Sequence, residues 1–279
     1  MKIKTAALFL NTAKEQSLNI RKNMAARLKS AGIAYYEIDG NSSAATIREG
    51  TDIIFCIGGD GTLLKAARMA ARRGIRLMGV NGGSLGFLSA AEADGDFRAL
   101  LSALKNGDFT ESPRLMLDVR VMRGGKKVFA HKALNECVIK TGEARAISLN
   151  LSYNSNALKG YFGDGIIIST PTGSTAYNLA ADGPIVHPAI DAFILTAICP
   201  HMLTHRPLVL PADKVLKAEL SPRKQGLRAV LNVDGQEHFP VDYGDEVIIS
   251  KSARRARILY PRNYNFFDVL TAKLKWGSR

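Results

Sequence analysis

TDIIFCI (Thr51–Ile57), GGDGT (Gly58–Thr62) and LLKAARMAARR (Leu63–Arg73) follow one another without interruption. The first run is short, apolar and Ile-rich, with Asp52 its only charge, which reads as a strand buried on both faces. The last is rich in Ala and Leu, ends in two arginines and meets Gly74, so it reads as a helix with a C-terminal stop. Between them the glycines form a turn whose backbone N–H groups can face an anion, because a phosphate can approach a main chain that lacks Cβ atoms. Gly58, Gly59, Gly61 and Thr62 are therefore candidates for a phosphate-binding turn. Asp60 stands out: a carboxylate there repels phosphate unless it meets a metal ion or takes a proton from a hydroxyl. Taken alone, GGDG serves equally well as a tight turn in which Asp bonds its own backbone.

Upstream, residues 3–10 read as a strand. Residues 14–31 read as an amphipathic helix, with Leu18, Met24, Ala25 and Leu28 inward and Gly32 as its stop. Ile33 to Ile38 is a second strand. Downstream, Arg76 to Val80 is a further strand, followed by NGGSLGFL (Asn81–Leu88), whose glycines are expected beside GGDGT on the same sheet edge. Strands alternating with helices imply a parallel, Rossmann-like sheet with ligands at the carboxyl ends of its strands. After Pro113 the texture changes to strands: 115–123, 126–130, 133–140, 145–153, 158–168, 207–220, 227–233 and 245–250, divided by turns such as Arg123-Gly124-Gly125-Lys126. The expected organisation is α/β plus β. A Rossmann-like domain spans 1–105, a β-rich domain spans 106–259, and residues 260–279, helical over Phe266 to Lys275, are free to return to the first.

The 279 residues, 46% hydrophobic and 23% charged, describe an ordinary soluble globular chain with room for one or two domains. The longest apolar stretch, Ala192 to Cys199, falls far short of a membrane span, and the apolar run at the N-terminus is too short for a secretory signal. Cys56, Cys137 and Cys199 are widely spaced in apolar contexts, which suits a reduced, cytoplasmic protein. The net charge of +13 comes in short, scattered groups without interleaved aromatics, the pattern of a solvated surface that attracts small anions rather than of a specific nucleic-acid binder.

Two further stretches carry chemistry. GDGIIISTPTGSTAY (Gly163–Tyr177) runs from an apolar strand into five hydroxyl residues around Pro171 and Gly173. Ser174 or Thr175 is positioned to cap a short helix, and the same hydroxyls and glycine backbone can face a polar ligand. Asn135 and Glu136 sit inside a strand-like run where a polar pair is costly unless something bonds it; such a pair can hold a ribose or an adenine edge. His187, His201 and His205 lack tight ligand spacing and read as structural rather than as a metal site.

GGDGT, NGGSLGFL, ALNE (133–136), GDGIIISTPTGSTAY, DGPIVHP (182–188), CPHMLTHRPLVLP (199–211) and VDGQ (233–236) together resemble the NAD kinase family in order and rough spacing, over nearly the whole chain. The resemblance implies phosphoryl transfer from ATP or polyphosphate to the 2′-hydroxyl of the adenosine ribose of NAD, with Mg²⁺ or another divalent cation arriving on the donor phosphates. It implies that Asp60 is the proton acceptor, with Gly61 beside it at the NAD site, and that Asn135 and Glu136 contact ribose. Asp164 matches a residue near the nicotinamide half, in some members reached from a neighbouring subunit. Thr175, Ala176, Tyr177, Asn178, Leu179 and Ala180 match adenine-side contacts, and Gln236 a late contact in the second domain. A homodimer or homotetramer is implied too, and β-rich residues 115–250 offer edges to bury.

Two positions depart from the family pattern. Asp182 stands where many members have glycine, and Phe162 precedes GDG where a more polar residue is expected. A lipid kinase of the related superfamily shares the GGDGT turn without the Gly163–Tyr177 segment. A non-catalytic dinucleotide-binding regulator keeps the pocket but has no use for Asp60.

Overall fold

The computed structural model describes residues 3–12, 15–41, 46–81, 86–89, 91–92, 97–143, 145–202, 204–221 and 228–277. The chain begins with β1 (Thr5–Leu10), α1 (Glu15–Ser30), β2 (Ala34–Asp39), β3 (Ile53–Ile57), α2 (Asp60–Arg73), β4 (Arg76–Asn81), β5 (Ala91–Glu92), α3 (Phe97–Asn106) and β6 (Phe109–Arg114). It continues with β7 (Leu117–Arg123), β8 (Lys126–Ala133), β9 (Glu136–Thr141), β10 (Ile147–Tyr153), β11 (Asn156–Ser169), a 3-10 turn (Thr172–Thr175), α4 (Tyr177–Ala180) and β12 (Ala192–Pro200). Then come β13 (Leu208–Pro211), β14 (Leu216–Leu220), β15 (Ala229–Val233), β16 (Glu237–Val241), β17 (Glu246–Lys251), β18 (Ala256–Pro261) and α5 (Phe266–Leu274). Two compact units result: Met1–Pro113 together with Arg255–Arg279, and Arg114–Arg254.

In the first unit the sheet runs β2-β1-β3-β4-β18-β6, with β5 also on β4. β1 is parallel to β2 and β3, β3 to β4, and β4 to β18, as strand–helix alternation demands. All five residues of β3 are buried. α2 turns Leu63, Leu64, Ala66, Ala67, Ala70 and Ala71 inward and stops at Gly74, which is left-handed at φ 67° and donates its N–H to Ala70 O and Ala71 O. The helix starts earlier than its composition suggests. It begins at Asp60 with Gly59 as N-cap, so only Gly58 and Gly59 form the turn, and Asp60 to Thr62 are already helical. β6 and β18 belong to this sheet, which carries the unit on to Pro113 and back in from Arg255. Glu111 on β6 ties the three strands together, accepting from Arg257 Nε (2.6 Å) and Nη2 (2.8 Å) on β18 and from Arg76 Nε (2.9 Å) on β4.

The second unit is one antiparallel sheet ordered β16-β15-β9-β11-β10-β14-β17-β7-β8, with β12 on β11 and β13 on β12. It curls until its two ends meet: Phe129 on β8 and Phe239 on β16 pack with ring centroids 4.9 Å apart. Arg123 on β7 closes the seam, bonding Pro240 O and both carboxylate oxygens of buried Asp245. Leu117, Val119, Ile139, Ile168, Leu231 and Ile249 fill the interior. Gly124-Gly125, Asn154-Ser155 and Asp234-Gly235 each hold two consecutive residues at positive φ, the mark of two-residue hairpin turns that match strand twist. β12, β16 and β18 lie outside the strands expected from the sequence. Ala192 to Cys199 reads in the sequence only as an apolar run, because a short continuous run has no period that separates strand from helix. Among the described residues no helix is long and apolar enough to cross a membrane.

Candidate active site

In the first unit Asp60 is the first residue of α2, at the carboxyl end of β3, and no side chain caps that helix start. Gly58 lies at φ 146°, and a Cβ on it would run into Thr62 Oγ1. The Asp60 carboxylate turns toward the second glycine-rich segment. Its Oδ2 accepts from Phe87 N (3.2 Å) and its Oδ1 from Leu88 N (3.3 Å). Gly86 packs so closely on it that a Cβ there would be driven into Oδ1. Gly79, in β4, makes room for the same segment, since its Cβ would strike Ser89 Cα and Leu88 O. The described part of NGGSLGFL thus lies against Asp60; Gly82, Gly83, Ser84 and Leu85 fall outside the described residues. Burial raises the proton affinity of Asp60, and the Leu88 and Phe87 amides and the Lys273 ammonium pull it back down. A partly buried carboxylate with its proton affinity raised, held by backbone, has the properties of a general base.

In the second unit three separate stretches are stitched into one cluster. Asp234, in the β15–β16 hairpin at φ 51°, receives Leu134 N on Oδ2 (3.0 Å) and Asn135 N and Glu136 N on Oδ1 (2.8 and 3.3 Å). Asp234 N returns a bond to Glu136 O at 3.0 Å. From the end of β11, Thr170 N and Ser169 Oγ donate to Asn135 O, and Thr170 Oγ1 donates to Leu134 O. Gly173 lies flat on Asn135, where any Cβ would meet its carbonyl. Inside this cluster Asn135 Oδ1, Glu136 Oε2 and Thr172 Oγ1 are buried and make no hydrogen bond. Burial, with the Asp234 carboxylate beside it, pushes Glu136 up to about 8. Unsatisfied buried polar atoms are costly, so three of them in these neighbouring stretches leave hydrogen-bonding capacity that a polar ligand can take up.

The hydroxyls have more varied duties than capping. The 3-10 turn has Pro171 as its N-cap, and Thr170 just before it accepts from Gly173 N through Oγ1 at 3.1 Å. Ser174 Oγ instead donates to Pro171 O and bridges to the Val186 backbone, and α4 is preceded by Ala176 with no side-chain cap. Tyr177, which opens α4, is 42% exposed and free to offer a ring face. Thr175, Ala176 and Leu179 are half-buried and Ala180 is exposed. The Asn178 side chain is fully buried: its Nδ2 donates to Ser174 O and Pro184 O, and its Oδ1 accepts from Thr196 Oγ1. That carboxamide holds the loop from within and has no surface for a ligand.

GDG marks the point where β11 changes neighbours. Gly163 pairs with Ile147 of β10 and Pro200 of β12, while Gly165 pairs with Lys140 of β9. A Cβ on either would collide with the adjoining backbone, so the small residues are required by the crossing. Asp164 between them is exposed, about 16 Å back along β11 from Ser169 at ~3.3 Å per residue. Gln236 is exposed one residue past the Asp234-Gly235 turn. Phe162 packs on His201 (4.5 Å between centroids), His205 meets Tyr161 edge-on, and His187 Nδ1 accepts from Ala189 N. Asp182 sits at φ 60°, a left-handed conformation that explains glycine there and that Asp tolerates better than most residues. Asp234 and Thr172 went unnamed as site residues in the sequence. For Asp234 a signal existed, because Asp-Gly between strands marks a tight hairpin.

Family models described as ATP-NAD kinase N-terminal domain and ATP-NAD kinase C-terminal domain match residues 7–109 and 134–260. An NAD kinase of Geotalea daltonii is 42% identical over 234 residues, 84% of this chain and 81% of its own. One of Citrifermentans bemidjiense is 38% identical over 270 residues, 96% and 91% of the two chains. Among solved structures, yeast NADH kinase complexed with NADH aligns with a TM-score of 0.88 at 20% identity, covering 100% of this chain and 89% of that one. An NAD kinase from Archaeoglobus fulgidus in complex with ATP aligns with a TM-score of 0.76 at 24% identity, covering 97% and 98%. At those identities the two structures speak for the fold alone. With both family models matched along most of its length and relatives of this identity over four-fifths of it or more, the chain belongs to the NAD kinase family.

Proposed function

We propose that the protein phosphorylates the 2′-hydroxyl of the adenosine ribose of NAD, taking the phosphoryl group from ATP or polyphosphate and releasing NADP. The observation that carries this reading is the clamp on Asp60, a carboxylate seated against glycine-rich backbone, with raised proton affinity and both oxygens oriented by amides. Phosphoryl transfer asks a protein chiefly for positioning and charge stabilisation. In this reading Asp60 accepts the ribose proton as the hydroxyl attacks, and Gly58, Gly59, Gly61 and Thr62 hold phosphate at the start of α2. Asn135 and Glu136 hold the ribose, Tyr177 stacks on the adenine side, Thr175, Ala176, Leu179 and Ala180 frame that base on a loop that Asn178 holds from within, and Asp164 and Gln236 complete the nucleotide contacts.

A divalent cation fits as a passenger of the donor phosphates. Among the described residues no three His, Cys, Asp or Glu side chains are grouped to hold one, so the residues present would meet it through phosphate oxygens. When bound, it supplies neutralisation of phosphate charge. A cytoplasmic setting accords with three unpaired cysteines, two of them buried. A homodimer or homotetramer accords with β13, an edge strand on which Leu208 and Val209 are both about half exposed. Incubation with NAD, ATP and Mg²⁺ tests the reading: NADP must appear, and omission of NAD or of the phosphate donor must abolish it. Failure to form NADP with either donor would remove it.

A further inference from the structure

Glu136 and Asp234 are two carboxylic acids joined by two hydrogen bonds, the Asp234 amide donating to Glu136 O at 3.0 Å and the Glu136 amide donating to the Asp234 side chain at Oδ1 (3.3 Å). Their side chains are in opposite situations. Asp234 collects three consecutive amide donors, and amides aimed at a carboxylate stabilise its charge. The same three donors are thereby denied to Glu136, whose own Oε2 is buried and makes no hydrogen bond. Glu136 has no ion-pair partner among the described residues. Around it stand the Asp234 carboxylate from the hairpin, the Cys137 thiol next in β9, itself pushed up by burial, and Ser169, its cross-strand partner on β11. No cation faces it from these elements.

We propose that Glu136 is a neutral carboxylic acid at neutral pH and recognises NAD as a hydrogen-bond donor, offering its proton to an acceptor atom of the nucleoside, a ribose oxygen or a ring nitrogen. Two ionised carboxylates in one buried site repel, and the one without donors is the one that keeps its proton. The direction of the Glu136 shift, up to about 8 from burial first and Asp234 second, agrees with that geometry. The inference rests on reading the second unit as the NAD site. It goes further in fixing which partner carries the proton: a neutral acid here selects an acceptor, whereas a carboxylate would select a hydroxyl donor.

Two measurements on the full-length protein test it. Infrared difference spectra between substrate-free wild type and Glu136→Gln at neutral pH must contain a carboxylic-acid C=O band that the variant lacks; a difference confined to carboxylate bands would overturn the proposal. Calorimetric NAD affinity, followed between about pH 6 and 9.5, must fall in wild type as Glu136 ionises, approaching about tenfold per pH unit on the alkaline side. In Glu136→Gln, whose amide donates without titrating, that slope must vanish whatever the absolute affinity. An alkaline slope retained by the variant, or a flat wild-type profile, overturns the donor role. If wild type binds no NAD at any pH, the NAD reading of the site and the donor role fall together, and the infrared band alone decides whether Glu136 is neutral.

Discussion

Gly86 offers the sharpest test at the scale of single residues. Its missing side chain is what lets the Phe87 and Leu88 amides reach the Asp60 carboxylate. Gly86→Ala forces Asp60 or the segment aside, and a displacement of about 1 Å at a reacting group costs on the order of a hundredfold in rate. The expected outcome is a fall in kcat of that order with a far smaller change in Tm, read from initial rates and thermal unfolding. The sign for Asp60 itself follows from its raised proton affinity. A base works only when deprotonated, so kcat/KM falls on the acid side as pH drops through a pKa lying above the ordinary carboxylate value of about 4. A rate profile flat across that acid range would remove Asp60 as the base. In the proposed NAD site, Asp234 acts through Asn135 and Glu136, whose amides it holds. Asp234→Asn leaves one oxygen for three amides, stranding buried donors at about 1–3 kcal/mol each, so NAD affinity and stability must both decline; unchanged NAD affinity would show that the hairpin does not position Asn135 and Glu136.

At the scale of elements, what the sequence disclosed was local. α2 was legible because an Ala-rich stretch ending at glycine carries its own period and stop, and β3 because its short Ile-rich apolar run is cut off by the glycine turn. The start of α2 was less so: glycine next to Asp reads as a turn whether or not helix follows. β18 was missed because only the sheet identifies it, through a pairing with β4 that is remote in sequence and through the Glu111–Arg257 pair. Asn178 was legible as part of a segment but not as a scaffold side chain, since its three partners come from Ser174, Pro184 and Thr196. The clasp on Glu111 gives an element-scale prediction. The Arg257 and Arg76 guanidiniums hold the Glu111 carboxyl below its ordinary range, so its stabilisation is present above about pH 4.5 and lost as pH falls through its folded value. Glu111→Gln must therefore flatten the acid side of the stability profile, with a loss at neutral pH of about 1 kcal/mol, because all three side chains are about one-third exposed. Urea unfolding at neutral and acid pH measures both quantities.

At the scale of the whole molecule, the chain forms two units of different architecture, Asp60 lying in the one with the parallel sheet and the Asn135–Glu136–Asp234 cluster in the one with the curled antiparallel sheet. The uncovered edge at β13 predicts self-association, to be checked by light scattering at micromolar concentration; a fully active monomer would dismiss it together with any cross-subunit part for Asp164. Asp60→Asn separates an Asp60 that does chemistry from one that only shapes a turn. The substitution keeps size and at least one of the two amide bonds, and it removes the charge whose burial is costly, so the fold must survive. General-base catalysis is worth ~10²- to 10⁴-fold, roughly 3–5 kcal/mol of barrier. With kcat for NADP formation measured beside NAD affinity by calorimetry, the account predicts that kcat collapses by that factor while NAD still binds within about tenfold of wild type. A variant that keeps more than about a tenth of wild-type kcat would contradict it, because a turn-forming Asp is replaced by Asn at almost no cost in rate.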